Sequence, residues 1–544
     1  MSIFSKVKVK RPKRSTFNLS HDTKFTMPFG WLVPVYWTYL EPNVTFKASS
    51  EIMARFAPMF APIMHRVNFY SYWFEVPLRL LMEKSDYENF MTGGRTGNEE
   101  VSFPKFRVPQ DSNVRGYSLL DYMGVPPVPL ATAEGDTCTF DAPPFRAYTT
   151  IWNEYFRDEN TTDPIELDLF TGIKDVTDED EDTTNLDTLS IKSRCWEKDY
   201  FTSALPFAQR GTAAKVPLTV LSELAMDGKD VTRVTNVDND ALTNNTSFKR
   251  GNLITGISPG SGNKQYEVLD TLSQDGVQFD ITNHTKVTSR VSGTINDLRQ
   301  MFALQRWYER NAVGGARYIE QINAHFGVWG DDYRLQRPKY LGGARTPLAI
   351  SEVLQTSASQ EDSAQGTMSG RGFTMDKNGF VGTFTKEHSI IMCLVCCVPK
   401  PAYFQGMPRK LDIRDRYDFV WPELAHLGEQ EVRKKEIFCQ SDGTSANDQT
   451  FGYQSRYAQY KYEPNEIHTD FRHTMKFWHL GRVFSTVPAL NRQFLTVDAT
   501  NDTLNRIFAV EENSIYDDMQ YPIWVQMAFN IRAKRPLPYF GTPR

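Results

Sequence analysis

Large side chains recur in this sequence with a period of two in some stretches and of three to four in others, and the two periods divide the chain. Val67, Phe69, Ser71 and Trp73 alternate with Asn68, Tyr70, Tyr72 and Phe74, so a strand over Val67–Phe74 carries bulk on both faces. Such a strand needs cover on both faces, from a second sheet in a sandwich or from a neighbouring subunit. The preceding run, Arg55-Phe56-Ala57-Pro58-Met59-Phe60-Ala61-Pro62-Ile63-Met64-His65-Arg66, carries two Ala-Pro steps. Each proline removes a backbone donor and biases the residue before it away from helix, so Arg55 to Met64 is expected to be an irregular apolar connector.

The same rhythm extends from Trp31 to about Val220, where short aromatic or β-branched runs alternate with breaks such as Phe90-Met91-Thr92-Gly93-Gly94 and Val125-Pro126-Pro127-Val128-Pro129. It returns from about Thr346, with strands expected at Phe380–Phe384, Ser389–Val398, Phe451–Tyr462 and Ile523–Ile531. Helical spacing replaces it in one place. Thr294 is a cap candidate with Asp297 in capping-box spacing, and Leu298, Met301, Phe302, Gln305 and Tyr308 fall on one face before Gly314-Gly315 interrupts. A second helix carries Tyr318, Ile319, Ile322 and Phe326 and is expected to stop at Gly327. These helices would plug a sandwich or brace a subunit contact. Between about Met226 and Ser292 threonine, asparagine, aspartate and glycine dominate, which predicts an insertion exposed on most of its surface and compatible with a small β subdomain.

Composition supports β structure with long loops: aromatic residues form 13% of the chain and there are 30 prolines. The apolar run Ile390–Val398 is far below the roughly 18 residues that span a bilayer, so no membrane span is expected. The first residues, Met1 to Lys6, lack the apolar core of a secretory signal, which points to folding in the cytoplasm of the producing cell. The 6 cysteines are too few and too unevenly spaced for a disulfide framework and are expected as free thiols.

Net charge is only −5, so any nucleic-acid contact must come from a local patch. One is visible: Lys6, Lys8, Lys10, Arg11, Lys13 and Arg14 form an N-terminal arm without an acid, a candidate for DNA contact by charge or, alternatively, a solvated or subunit-bridging tail. The tail from Arg532 to Arg544 is basic and proline-rich, hence extended, and would pack on a neighbouring subunit or touch a genome.

Candidate chemistry is thin. Cys393, Cys396 and Cys397 cannot all face one ion from a single strand, and Cys439 lies far downstream, so buried core thiols are expected in place of zinc ligands. His65, His388 and the set His468, His473 and His479 lack zincin or nucleophile-elbow spacing. The acidic run Asp178–Asp182 lacks the glycine and closing glutamate of an EF-hand, and the glycine-rich stretch Gly256–Lys264 lacks the order of a phosphate loop. No catalytic, cofactor-binding or metal-binding residue is assigned, and no cofactor is expected. Abundant aromatic, methionine and arginine side chains without an active site favour self-assembly. A carbohydrate-binding or hydrolytic jelly-roll protein is the competing class, and a pocket with two convergent carboxylates would distinguish it.

Several blocks carry a family resemblance. They include the double Ala-Pro segment, Asn18-Leu19-Ser20-His21-Asp22, Leu32-Val33-Pro34-Val35-Tyr36, Asp297 to Arg306, Arg310 to Tyr318, His325 to Val328, and Leu335 to Gly343. Phe451-Gly452-Tyr453-Gln454, Tyr460 to Asn465 and Arg535-Pro536-Leu537-Pro538-Tyr539-Phe540-Gly541 complete the series in order. Together they resemble the major capsid proteins of gokushoviruses, small single-stranded DNA bacteriophages of the microvirus family (Microviridae).

The resemblance implies a mainly β fold, an eight-stranded viral jelly roll or β-sandwich with long loop insertions and a few helices. It implies self-association into a small T=1 icosahedral shell around circular single-stranded DNA, a virion location, and assembly in the host bacterial cytoplasm. Implied partners are an internal scaffolding protein, a small basic DNA-binding protein and a host-cell surface receptor. Four regions are expected: a basic arm over 1–30, a first part of the jelly roll over 31–225, a surface insertion over 226–292 that would form a three-fold protrusion facing the host, and the helical segment with the rest of the jelly roll over 293–544. Candidate subunit-interface residues are Arg55, Phe56, Pro58, Phe60, Pro62, Tyr539 and Phe540.

Overall fold

Alternating side chains resolve into two antiparallel sheets in the computed structural model. It describes residues 14–94, 100–109, 118–125, 137–176, 187–211, 219–226, 253–259, 264–269, 285–292, 295–314, 317–327, 329, 331–332, 335–354, 356, 368–377, 379–441, 445–497, 502–508 and 521–539. The chain divides into two compact units, one formed by 1–210 with 309–544 and the other by 211–308.

The strands of the two largest sheets of the larger unit are, in chain order, β1 (Ser15–Asn18), β2 (His21–Met27), β3 (Val33–Leu40), β4 (Thr45–Phe56), β5 (Val67–Pro77), β6 (Lys339–Pro347), β7 (Ala349–Leu354), β8 (Met368–Lys377), β9 (Val381–Phe384), β10 (Ser389–Pro399) and β11 (Ile523–Arg535). The 7-stranded sheet runs β1-β11-β4-β8-β7, with β2 also on β11 and β9 also on β4. The 4-stranded sheet runs β6-β5-β10-β3. Long registers hold each centre together, from Ile523 opposite Phe56 to Lys534 opposite Thr45, and from Ser389 opposite Pro77 to Pro399 opposite Val67.

An aromatic pillar joins the sheets. Trp73 of β5 lies 6.1 Å from Phe46 of β4 and 5.9 Å edge-on from Phe529 of β11, while Tyr36 of β3 sits 5.6 Å from Phe529. Edge-to-face contacts of this kind add to the large area such rings bury. The 4-stranded sheet is also covered on its far side. Phe74 packs 4.9 Å from Tyr155, and Tyr72 packs 5.1 Å edge-on from Phe156. Tyr155 and Phe156 belong to a wide turn, Trp152–Phe156, that continues α1 (Pro143–Ile151).

Helix α1 lies within the stretch whose rhythm predicts strands, and it is buried nearly all round. Two prolines at its first turn need no helical donors there. The fully buried Arg146 donates to Leu81 O at 2.8 Å and Phe170 O at 3.2 Å, and Tyr148 donates to Leu32 O at 2.8 Å while accepting from Lys192 N at 2.8 Å.

The expected strand Val67–Phe74 is present and runs on to Pro77, with both faces covered by the chain's own side chains. Strand β4 continues through Phe56, so the connector begins at Ala57 and not at Arg55. Met59 exchanges backbone hydrogen bonds with Gly370 at 3.3 Å in each direction, and a Cβ on Gly370 would fall 2.4 Å from Ala61 O, so only glycine fits. The apolar run of β10, with Cys393, Cys396 and Cys397, is fully buried because that strand is central in a sheet covered twice.

The expected strand Phe451–Tyr462 breaks after Ser455. Tyr457 takes a left-handed conformation (φ 62°) and starts the short helix Ala458–Lys461. Helices α2 (Ile295–Gly314) and α3 (Tyr318–Phe326) fall where helical spacing put them, and Gly327 closes α3 at φ 69°. Thr294 lies outside the described residues. In the smaller unit Thr219–Met226 pairs antiparallel with Thr285–Ser292, and Leu253–Pro259 pairs with Lys264–Leu269.

Candidate assembly and nucleic-acid surfaces

The expected site residues scatter over different surroundings. Lys6, Lys8, Lys10, Arg11, Lys13 and Phe540 lie outside the described residues. Arg14 is exposed, 3.4 Å from Asn43 O and from Thr45 Oγ1 at the start of β4. Tyr539 is exposed, stacks 5.3 Å from Phe17 and donates to Thr16 O, which ties the C-terminal tail to β1. Arg55, Pro58 and Phe60 are exposed and Pro62 is half-buried. Phe56 is a correction: its ring packs 5.5 Å from both Phe29 and Phe508 inside the core, so it has no face to offer a neighbour. His65, beside them, donates from Nε2 to Lys400 O at 2.6 Å, and burial pulls its pKa down to about 4, so it is neutral at pH 7.

Two cavities in the larger unit bear on the competing enzyme or sugar-binding class. One, of about 640 Å³, is lined by Tyr200, Tyr403, Arg409, Glu436, Glu463 and His468 among others. Burial pushes the carboxyl of Glu436 up, while it accepts from Tyr200 Oη at 2.8 Å and Arg433 N at 2.9 Å, with Arg409 at 3.4 Å. Glu463 is bound to Lys410. The other cavity, of about 540 Å³, is lined by Tyr72, Arg194 and Glu197 among others. Glu197 accepts from Asn68 at 3.1 Å, from Tyr70 and from Lys400, and Arg194 lies 4.1 Å from the Tyr70 ring. Glu436, Glu463 and Glu197 are each tied to neighbouring donors, and in the second cavity Glu159 and Glu320 converge on Arg317, at 2.7 and 3.2 Å, as an ion-pair cluster. Among the described residues no His, Cys, Asp and Glu group gathers as a metal site, and no helix is long and apolar enough to cross a membrane.

What the surface does offer is a fixed apolar platform. Between Leu411 and Leu427 the chain displays Leu411 (73% exposed), Ile413, Tyr417, Phe419, Val420, Trp421 and Leu427 (66%). Sequence periodicity could not find it, because the segment consists of single 3₁₀ turns and bends. Its backbone is held from beneath. Asp415 accepts from Tyr417 N at 2.7 Å and Asp418 N at 3.1 Å, Tyr460 donates to Asp418 O at 3.3 Å, and Arg456 donates to Tyr417 O at 3.0 Å. Ion pairs from Asp412 to Arg433 at 2.8 Å and to Lys435 at 3.3 Å anchor the same segment. Exposed aromatics on an anchored backbone are pre-organised for burial against a partner.

Comparison with known proteins places the chain among capsid proteins. The family described as "Capsid protein (F protein)" matches residues 5–544. The chain is 32% identical over 601 aligned residues to capsid protein VP1 of Chlamydia phage 1, covering 99% of this chain and 97% of that protein. It is 30% identical to capsid protein VP1 of Bdellovibrio phage phiMH2K and 28% identical to capsid protein VP1 of Spiroplasma virus 4, each with 99% and 97% coverage.

Proposed function

The chain belongs to the capsid protein (F protein) family, in its gokushovirus-type branch, and is a structural major capsid protein; from that premise we propose that copies close into a T=1 icosahedral shell around circular single-stranded DNA. The fold we propose for the shell is a viral jelly roll. Taking β2, β3, β4, β5, β6, β8, β10 and β11 as its strands, the first pairs with the last, the second with the seventh, the third with the sixth and the fourth with the fifth. That nested pairing is what a long antiparallel hairpin acquires when it wraps around a barrel, and it supports the assignment.

The platform from Leu411 to Leu427 is the observation that carries self-assembly, because no described residue of the chain covers it. Arg55, Pro58, Phe60, Pro62 and Tyr539 are proposed to add to subunit contacts. The insertion over 226–292 is proposed to project outward at three-fold axes and meet a host receptor. The family resemblance further supports an internal scaffolding protein and a small basic DNA-binding protein as partners, assembly in the host cytoplasm, and DNA contact by the arm from Lys6 to Arg14. Electron microscopy of the purified protein should show closed shells. Trp421→Asp with Leu411→Asp should leave thermal unfolding of the subunit unchanged while shells disappear; shells formed normally by this variant would overturn the platform's role.

A further inference from the structure

The 7-stranded sheet has an outward face that no described residue covers. Register and burial put alternate residues of each strand on it: Trp524, Gln526, Ala528, Asn530, Arg532 and Lys534 on β11, and Lys47, Ser49, Glu51, Met53 and Arg55 on β4. An open sheet face usually mixes the two signs of charge. Here Lys24, Lys47, Arg55, Arg371, Arg532 and Lys534 all point outward, and none forms an ion pair with a described residue. The carboxylates on the same face of these strands are Asp22 and Glu51, and Glu51 is already bound to Lys377 at 2.9 Å.

Two details exclude a merely solvated face. Arg532 lies directly opposite Lys47 in the ladder, a like-charge cross-strand pair that works against the sheet in water. Aromatic rings are interleaved with these cations: Trp524 is 39% exposed, Phe380 66% and Phe384 49%. The Lys47 ammonium sits 5.7 Å from the Phe380 ring and the Arg55 guanidinium 5.8 Å from the Phe373 ring. Cations about 4.8 Å apart across strands and about 6.8 Å apart along them, with open rings between, match what a flexible polyanion with stackable bases requires.

We propose that this face is a binding surface for single-stranded DNA, with Lys47, Arg532 and Lys534 contacting phosphates and Trp524 and Phe380 stacking bases; the inference rests on the genome-enclosing reading above. The proposed surface reaches Arg14. Arg14 touches Thr45, and Thr45 is the ladder partner of Lys534, so Arg14 adds a further cation at this corner of the sheet.

The test uses the full-length unassembled chain, oligothymidine and a salt titration, with shell formation scored separately by electron microscopy. Lys47→Ala with Arg532→Ala should weaken oligothymidine binding at least tenfold at low salt and flatten the log–log salt slope by about 1.4, the loss of two phosphate contacts on a single strand. Trp524→Ala should weaken binding with the slope unchanged, and Lys47→Arg with Arg532→Lys should restore it. Unaltered affinity and slope in the double alanine variant would overturn the proposal, as would equal affinity for poly-glutamate with no response to Trp524→Ala, the signature of an acidic protein partner. Shells that form and package DNA normally in the double variant would overturn the face alone, whereas absence of shells in the parent chain would overturn the shell reading.

Discussion

The two sheets of the sandwich share the aromatic pillar between them and differ on their other faces. The 4-stranded sheet is sealed by α1 and the Trp152–Phe156 turn, and its central strand β10 is buried along its whole length. The 7-stranded sheet is sealed on one side and presents cations and rings on the other. One sheet therefore holds the subunit together, while the other uses the same period of two to present a surface. Exposure on an open β face gives a sequence freedom that a doubly covered face lacks, and here the freedom is spent on charge.

Mutations should separate the two sheets in order of cost. Trp73→Ala, at the centre of the pillar, should destabilise the subunit by roughly 3–5 kcal/mol in denaturant unfolding, through lost burial and the cavity left behind. Tyr148→Phe, in the cover of the sealed sheet, should cost about 1–3 kcal/mol, because Leu32 O and Lys192 N lose a buried partner.

The connector between the sheets supplies a pH dependence. His65 is held down to about 4, first by burial and then by His479, Arg506 and Arg66, against a hydrogen bond to Lys400 O that opposes the shift. A base depressed by folding binds its proton more readily when unfolded, so its contribution is complete above about 6.5 and is lost as pH falls toward 4. The melting temperature should drop across that window, and His65→Gln should make the drop shallower; an identical pH profile would remove His65 from the account. The smallest effect belongs to the open face. Lys47→Ala should stabilise the subunit by about 0.2–1 kcal/mol by removing its repulsion with Arg532, the reverse of what any substitution in the sealed sheet should do.

Much of this was legible in local pattern. Val67–Phe74 showed two bulky faces because both really are covered, and Gly327 marked a helix end because its left-handed φ suits glycine. Helix α1 was hidden by its two leading prolines and its place within a β-like rhythm, and Tyr457 ended a strand by a backbone turn that its aromatic neighbours gave no sign of. Among site residues, Phe56 was a subunit-interface candidate as part of the double Ala-Pro segment that carries the resemblance, yet it occupies the last inward position of β4. The platform from Leu411 to Leu427 has no period at all, and it depends on Arg456 and Tyr460 meeting it from elsewhere in the chain.

The sequence by itself determined the strand-rich class, the two helices after the polar insertion and the family, since these follow from local alternation, capping and ordered motifs. Only the tertiary structure decided which face of each strand is sealed, which apolar groups remain outside and that Lys47 stands opposite Arg532. The physical reason is that period two assigns side chains to two faces without saying which partner covers either one, and cover is a long-range contact that no local pattern encodes.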